Sequence, residues 1–115
     1  MPDVGKKIYL PVKNKENFKN VTHLMCECYY DLGGMNYFTS RVEQRGYYMS
    51  VSPVERTKRD GFVSESYMAF SGKKFLISPA KRKSQKAMEN AIKKFDMVLP
   101  GFIESHFSEY EVDYE

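Results

Sequence analysis

Apolar and polar positions alternate with a period of two along most of residues 6–78, and the period then lengthens to that of a helix. "KKIYLPV" (6–12) is a short apolar alternation that predicts a first strand. Pro11 removes a backbone donor there, which favours an edge position. "KNKENFKN" (13–20) reads as a polar connection. "VTHLMCECYYDL" (21–32) supports two readings. A strand places Leu24, Cys26, Cys28, Tyr30 and Leu32 on one face and His23, Met25, Glu27, Tyr29 and Asp31 on the other. A helix would use Leu24, Cys28 and Leu32. The β-branched and aromatic content and the glycine pair that follows favour the strand.

Gly33-Gly34 between two aromatic runs is a hairpin signal, because both residues can take positive φ. "MNYFTSRV" (35–42) is then expected to run back as a strand. "EQRG" (43–46) turns, "YYMSVSPVE" (47–55) forms the next strand, and "RTKRDG" (56–61) is a charged turn. Asp60-Gly61 supplies its left-handed position. "FVSESYMAF" (62–70) alternates, Ser71-Gly72 turns, and "KKFLIS" (73–78) closes the series. From residue 80 to 99, Ala87, Ala91, Ile92, Phe95, Val98 and Leu99 recur at helical spacing. Pro100-Gly101 interrupts them, leaving a short second helix or turn over 100–107 and an acidic tail, 108–115, expected to fray. The expected fold is α+β: an antiparallel β-meander of about five to six strands with a C-terminal helix packed on one face.

With 115 residues, the chain fits one domain and buries roughly 65% of its unfolded surface. No apolar run is long enough to span a membrane, and the N-terminus lacks the apolar core of a secretory signal, so the expected location is cytoplasmic. The two cysteines fit that location as reduced thiols. His23, Cys26 and Cys28 read H-x-x-C-x-C, but a structural zinc site needs four ligands and usually wider cysteine spacing. Small apolar side chains on a strand are the better reading, and no metal or cofactor is expected.

The formal charge of +3 hides an asymmetry. Five acids, Glu104, Glu109, Glu111, Asp113 and Glu115, fall in a final stretch with no Lys or Arg. Residues 1–103 therefore hold eighteen basic against ten acidic residues, a net of +8. A basic body favours an acidic partner. The nine tyrosines and eight phenylalanines are too many to lie wholly within a one-sided core. Tyr37, Arg41, Arg45, Tyr47 and Tyr48 are therefore candidates for an aromatic and basic binding surface that stacks bases and pairs with phosphates. Arg56, from "RTKRD", and Lys81, Arg82 and Lys83, from "AKRKSQK", are candidates for the same patch. Catalytic motifs are missing: there is no G-x-S-x-G, no Walker loop and no H-E-x-x-H, which argues against an enzyme.

Three stretches carry a resemblance: Asp31-Leu32-Gly33-Gly34, Arg45-Gly46-Tyr47-Tyr48 and Ser52-Pro53-Val54-Glu55-Arg56. With "KIYLPV" before them and "AFSGKKFLI" after, roughly residues 6–90 resemble small proteins carried by integrative conjugative elements and related mobile DNA of gut Firmicutes. The acidic ending departs from that pattern. The resemblance implies a genetic setting, not a reaction. Small proteins of mobile elements serve DNA transfer, gene regulation or evasion of host defence, including anti-CRISPR inhibition of RNA-guided nucleases. The expectation is a non-enzymatic accessory protein that binds a protein or nucleoprotein of the bacterial host or the element. The alternative is a single-stranded nucleic-acid-binding protein that uses a basic, tyrosine-rich sheet face.

Overall fold

Seven strands and one helix follow one another in the computed structural model, which describes residues 3–13, 20–37, 39–67 and 71–114. They are β1 (Asp3–Pro11), β2 (His23–Asp31), β3 (Gly34–Asn36), β4 (Arg41–Glu43), β5 (Gly46–Arg59), β6 (Phe62–Tyr67), β7 (Lys73–Pro79) and α1 (Gln85–His106). The class is α+β, as the change of period predicts: antiparallel strands with the C-terminal helix on one face.

The spine is β5, 14 residues long. One edge pairs with β2, and β1 lies beyond β2. The other edge pairs with β7 over Gly46–Val51 and with β6 over Val54–Arg59, so these two strands lie end to end. Within 21–32 the strand reading holds for β2, His23–Asp31, with the predicted faces, except that Leu32 lies beyond the strand and is exposed. Leu24, Cys26, Cys28 and Tyr30 join Tyr47, Met49, Val51 and Ile77 in the core, against Ala91, Phe95, Leu99 and Ile103 of α1. Burial pushes the Cys26 thiol up to about 12 and the Cys28 thiol to about 11, as inert core thiols require.

The Gly33-Gly34 hairpin does not form where the sequence predicts it. The partner of β2 is β5, with Cys26 opposite Val51 and Tyr30 opposite Tyr47. Residues 34–36 and 41–43 instead pair with each other as a small ribbon, β3 against β4. The apolar run of β5 offers the β2 core face a continuous surface, which the mixed run 35–42 does not. Gly33 (φ +81) redirects the chain out of β2, and its N–H donates to Asp31 Oδ1 at 2.9 Å. A Cβ on Gly33 would lie 2.6 Å from the Glu43 carbonyl oxygen. "RTKR" belongs to β5 and not to a turn; the turn is confined to Asp60-Gly61, both with positive φ. Three residues of the expected strand 62–70, Met68, Ala69 and Phe70, lie outside the described residues, as do Phe38 and most of the polar connection (14–19).

Two differences concern the C-terminal part. The helix does not stop at Pro100; it runs on to His106. Its buried stripe, Ala91, Phe95, Leu99 and Ile103, keeps a spacing of four through the proline, and Phe107 caps the end in the core. An interior proline costs about 3 kcal/mol. Burying Ile103 and Phe107 offsets that cost at roughly 1.5–3 kcal/mol for each side chain. The tail does not fray throughout either. Val112 bridges Val12, Lys13 N–H donates to the Glu111 carbonyl at 2.7 Å, and Asp113 N–H donates to the Pro11 carbonyl at 2.9 Å. Pro11 has no N–H, so this edge of β1 is stitched through its carbonyl and its neighbour's amide.

Candidate functional site

The face of the sheet opposite α1 is not a bare aromatic platform. Tyr29 stacks on Tyr48 with ring centroids 6.2 Å apart, and the Lys74 ammonium lies 4.4 Å from the Tyr48 centroid. Lys74 also bonds Asp31 of β2 at 3.0 Å and Glu43 of β4, which ties the ribbon to the sheet. Further along, Arg56 covers the Tyr9 ring at 4.1 Å, and Tyr9 donates to Glu65 Oε2 at 2.9 Å. Cations already occupy the ring faces that bases would need.

Electrostatics follow from this packing. Burial pulls the Lys74 ammonium down in pKa, but the Glu43 and Asp31 hydrogen bonds and charges outweigh it and hold the group above the usual lysine range. Burial works against the Glu43 charge too, and its bonds to Lys74 and Asn36 overcome that, leaving Glu43 below the ordinary carboxylate range. Burial above all pushes the Tyr29 phenol up to about 12. Lys74, Tyr9 and Tyr29 went unmarked in the sequence, because the carboxylates and rings they meet are remote along the chain.

The predicted binding residues separate into three groups. Tyr47, 1% exposed, is a core residue, and Tyr48, 4% exposed, lies under Lys74 with its hydroxyl donated to the Gln44 carbonyl. Neither presents a ring to a partner. Arg56 is half-buried on the Tyr9 ring, well away from the others along β5. The remaining six, Tyr37, Arg41, Arg45, Lys81, Arg82 and Lys83, are exposed; Arg45 and Lys81 are bonded at the Gly46 end of β5, with Arg82 and Lys83 following Lys81, whereas Tyr37 and Arg41 belong to the ribbon.

Buried tyrosines build that end. The Tyr30 hydroxyl donates to the Lys81 carbonyl at 3.1 Å. The Tyr47 hydroxyl donates to the Ser84 carbonyl at 3.3 Å and accepts from Ser84 N–H at 3.2 Å. Arg45 Nη1 donates to the Lys81 carbonyl at 3.2 Å, and Ala80 N–H donates to the Arg45 carbonyl at 3.1 Å. With its backbone pinned on the inside, segment 80–84 turns the side chains of Lys81, Arg82 and Lys83 outwards.

Helix α1 starts immediately after. Ser84 caps it by accepting from Ala87 N–H at 3.1 Å, and Lys86 stands in a first turn that holds no acid. Helix N-termini favour acids, so these lysines add to the positive pole and do not neutralise it. Among the described residues, no ion pair engages Lys81, Arg82 or Lys86. Arg41 and, at the turn, Tyr37, the latter 87% exposed, lie on the ribbon. Gln44, Arg45, Pro79, Ala80 and Lys81 line a shallow hollow at this corner.

No family model, curated protein or solved structure matches the chain. No helix of the described residues is long and apolar enough to cross a membrane.

Proposed function

We propose that the chain is a non-enzymatic accessory protein of a mobile genetic element, and that it binds a nucleoprotein of the host or the element through the phosphates of its nucleic acid. The observation that carries this reading is the basic corner: Arg45, Lys81, Arg82, Lys83 and Lys86 around a helix start without acids, on a segment pinned by Tyr30 and Tyr47. Cations carried on a pinned backbone meet a phosphate backbone at a lower ordering cost than cations on a free loop. Lys81, Arg82 and Lys86 are in no ion pair among the described residues, whereas Lys6 is paired with Asp96 and Lys74 with Asp31 and Glu43. Occupying such a site suits the anti-defence role that the resemblance implies, an inhibitor of RNA-guided nucleases.

Capture from a bacterial host lysate tests the reading, with and without nuclease and beside the variant Lys81→Gln/Arg82→Gln/Lys83→Gln. A partner retained by the parent and lost by both the variant and nuclease treatment supports it. Capture that survives both treatments contradicts it.

The second reading, a binder of single-stranded nucleic acid free of protein, draws on Tyr37, whose exposed ring is available to one base. Binding of bare oligonucleotides that requires Tyr37, with no protein captured, favours it over the first.

A further inference from the structure

Strand β6 is a sheet edge that the described residues leave bare. The β1 edge is guarded by Lys6, Lys7, Pro11 and the Val12–Val112 bridge, and the β7 edge by Lys73, Lys74 and Pro79. β6, "FVSESY", contains no lysine, arginine or proline. Phe62, Val63 and Tyr67 are 79%, 51% and 53% exposed, and α1 does not pack against this strand. Folded proteins guard such edges, because unpaired backbone groups recruit another strand.

The direction of those groups follows from the turn. Asp60 (φ +52) and Gly61 (φ +83) form a two-residue hairpin turn in which Arg59 and Phe62 exchange both bonds. Phe62, Ser64 and Ser66 therefore spend their backbone groups on β5. Those of Val63, Glu65 and Tyr67 point away from it. The far edge of β5 keeps the same alternation: Thr22 N–H donates to the Val54 carbonyl at 2.9 Å, and Arg56 N–H donates to Thr22 Oγ1 at 2.8 Å.

We propose that a second copy of the chain occupies this edge, β6 against β6, antiparallel about a two-fold axis at Ser64. Charge selects the occupant. Residues 55–67 hold Arg56, Lys58 and Arg59 against Glu55, Asp60 and Glu65, so the arm is neutral on a strongly basic body. A neutral arm offers no attraction to an acidic or a basic partner and no repulsion to itself.

Side chains select the register. An axis at Glu65 would set that carboxylate opposite its own copy, a destabilising pair. An axis at Ser64 sets Val63 opposite Glu65 of the second copy and Phe62 opposite its Ser66, a small residue that leaves room for the ring. Four backbone hydrogen bonds form, and the two sheets become one.

Cysteine substitution reads the register directly. Ser64 of the two copies would form a non-hydrogen-bonded pair with Cα atoms about 4.5 Å apart, within disulfide range. Two Ser66 residues would lie about 14 Å apart. The native thiols are buried and do not compete.

Under mild oxidation Ser64→Cys should give a covalent dimer and Ser66→Cys should not, while the parent sediments as a dimer. Val63→Pro removes an N–H that faces solvent in the monomer. It should sediment as a monomer that still melts cooperatively. A parent that stays monomeric at every concentration, cross-linking of Ser66→Cys as fast as Ser64→Cys, or a Val63→Pro variant that remains dimeric overturns the proposal. Should Val63→Pro unfold, the two cysteine variants decide alone.

Discussion

The two faces of the sheet are held by different physics. The covered face is an apolar interface in which Phe95, Leu99 and Ile103 press on Cys26, Cys28 and Met49, and its strength scales with buried area. The open face buries Met25, Tyr48 and Val54 beneath tyrosines that are in turn capped by Lys74 and Arg56, with Asp31, Glu43 and Glu65 holding the cations and hydroxyls. Both faces are consumed by folding. The two surfaces proposed for partners lie at the ends of β5: the basic corner at Gly46 and the neutral arm at Arg59.

The comparison breaks most visibly at Phe95. Phe95→Ala opens a cavity in the covered face and should cost about 3–5 kcal/mol in denaturant unfolding. On the open face Tyr48→Ser should cost about 3 kcal/mol, because the ring is buried against Tyr29. A Tyr48→Ser variant as stable as the parent would mean that this face contributes little.

Gly33→Val forces a Cβ into positive φ and onto the Glu43 carbonyl, with an expected loss of roughly 1–3 kcal/mol. Gly34→Val is strained by φ alone, since nothing lies within 4 Å of its Cβ, and should cost less than Gly33→Val by the same measurement.

The smallest effect is electrostatic. Glu43 sits below its unfolded range, so the stability it contributes is present above the unfolded carboxylate pKa, about 4.3, and is lost as pH falls through the folded value. Acidification should therefore loosen the ribbon before the core, seen as faster amide exchange at 34–43 than in β2 and β5. In Lys74→Met this difference between ribbon and core should already be present at neutral pH.

How far the sequence reached depends on the range of each interaction. The strands, the helix and the core face of β2 were legible because alternation and helical period are local, and both report one apolar side. The ribbon was not, because Gly33-Gly34 is equally at home in a hairpin turn and in a strand exit. Which one forms depends on whether β2 finds 35–42 or 47–54, a competition between segments distant in sequence. The run through Pro100 was hidden for a related reason: a local penalty lost to burial of Ile103 and Phe107. At the candidate site, Lys81, Arg82 and Lys83 were readable as neighbours in sequence. The joining of Arg45 to them was expected, but of the buried tyrosines that make the joint Tyr47 was read as surface, and Tyr30 was placed on its strand face without the bond to 80–84. Tyr47 belongs to the corner as a positioning residue; its hydroxyl holds Ser84, and its ring is buried.

The central claim is that the basic corner meets phosphates, and salt dependence tests it most directly. The affinity for a fluorescent single-stranded oligonucleotide, followed from low to physiological salt, should fall with a log–log slope of about −3, as expected for four to five contacts at about −0.7 each. Lys81→Gln/Arg82→Gln/Lys83→Gln should reduce that slope by about 2 with an unchanged melting profile. No binding at low salt, or a triple variant that binds with the parent's slope, would contradict the account.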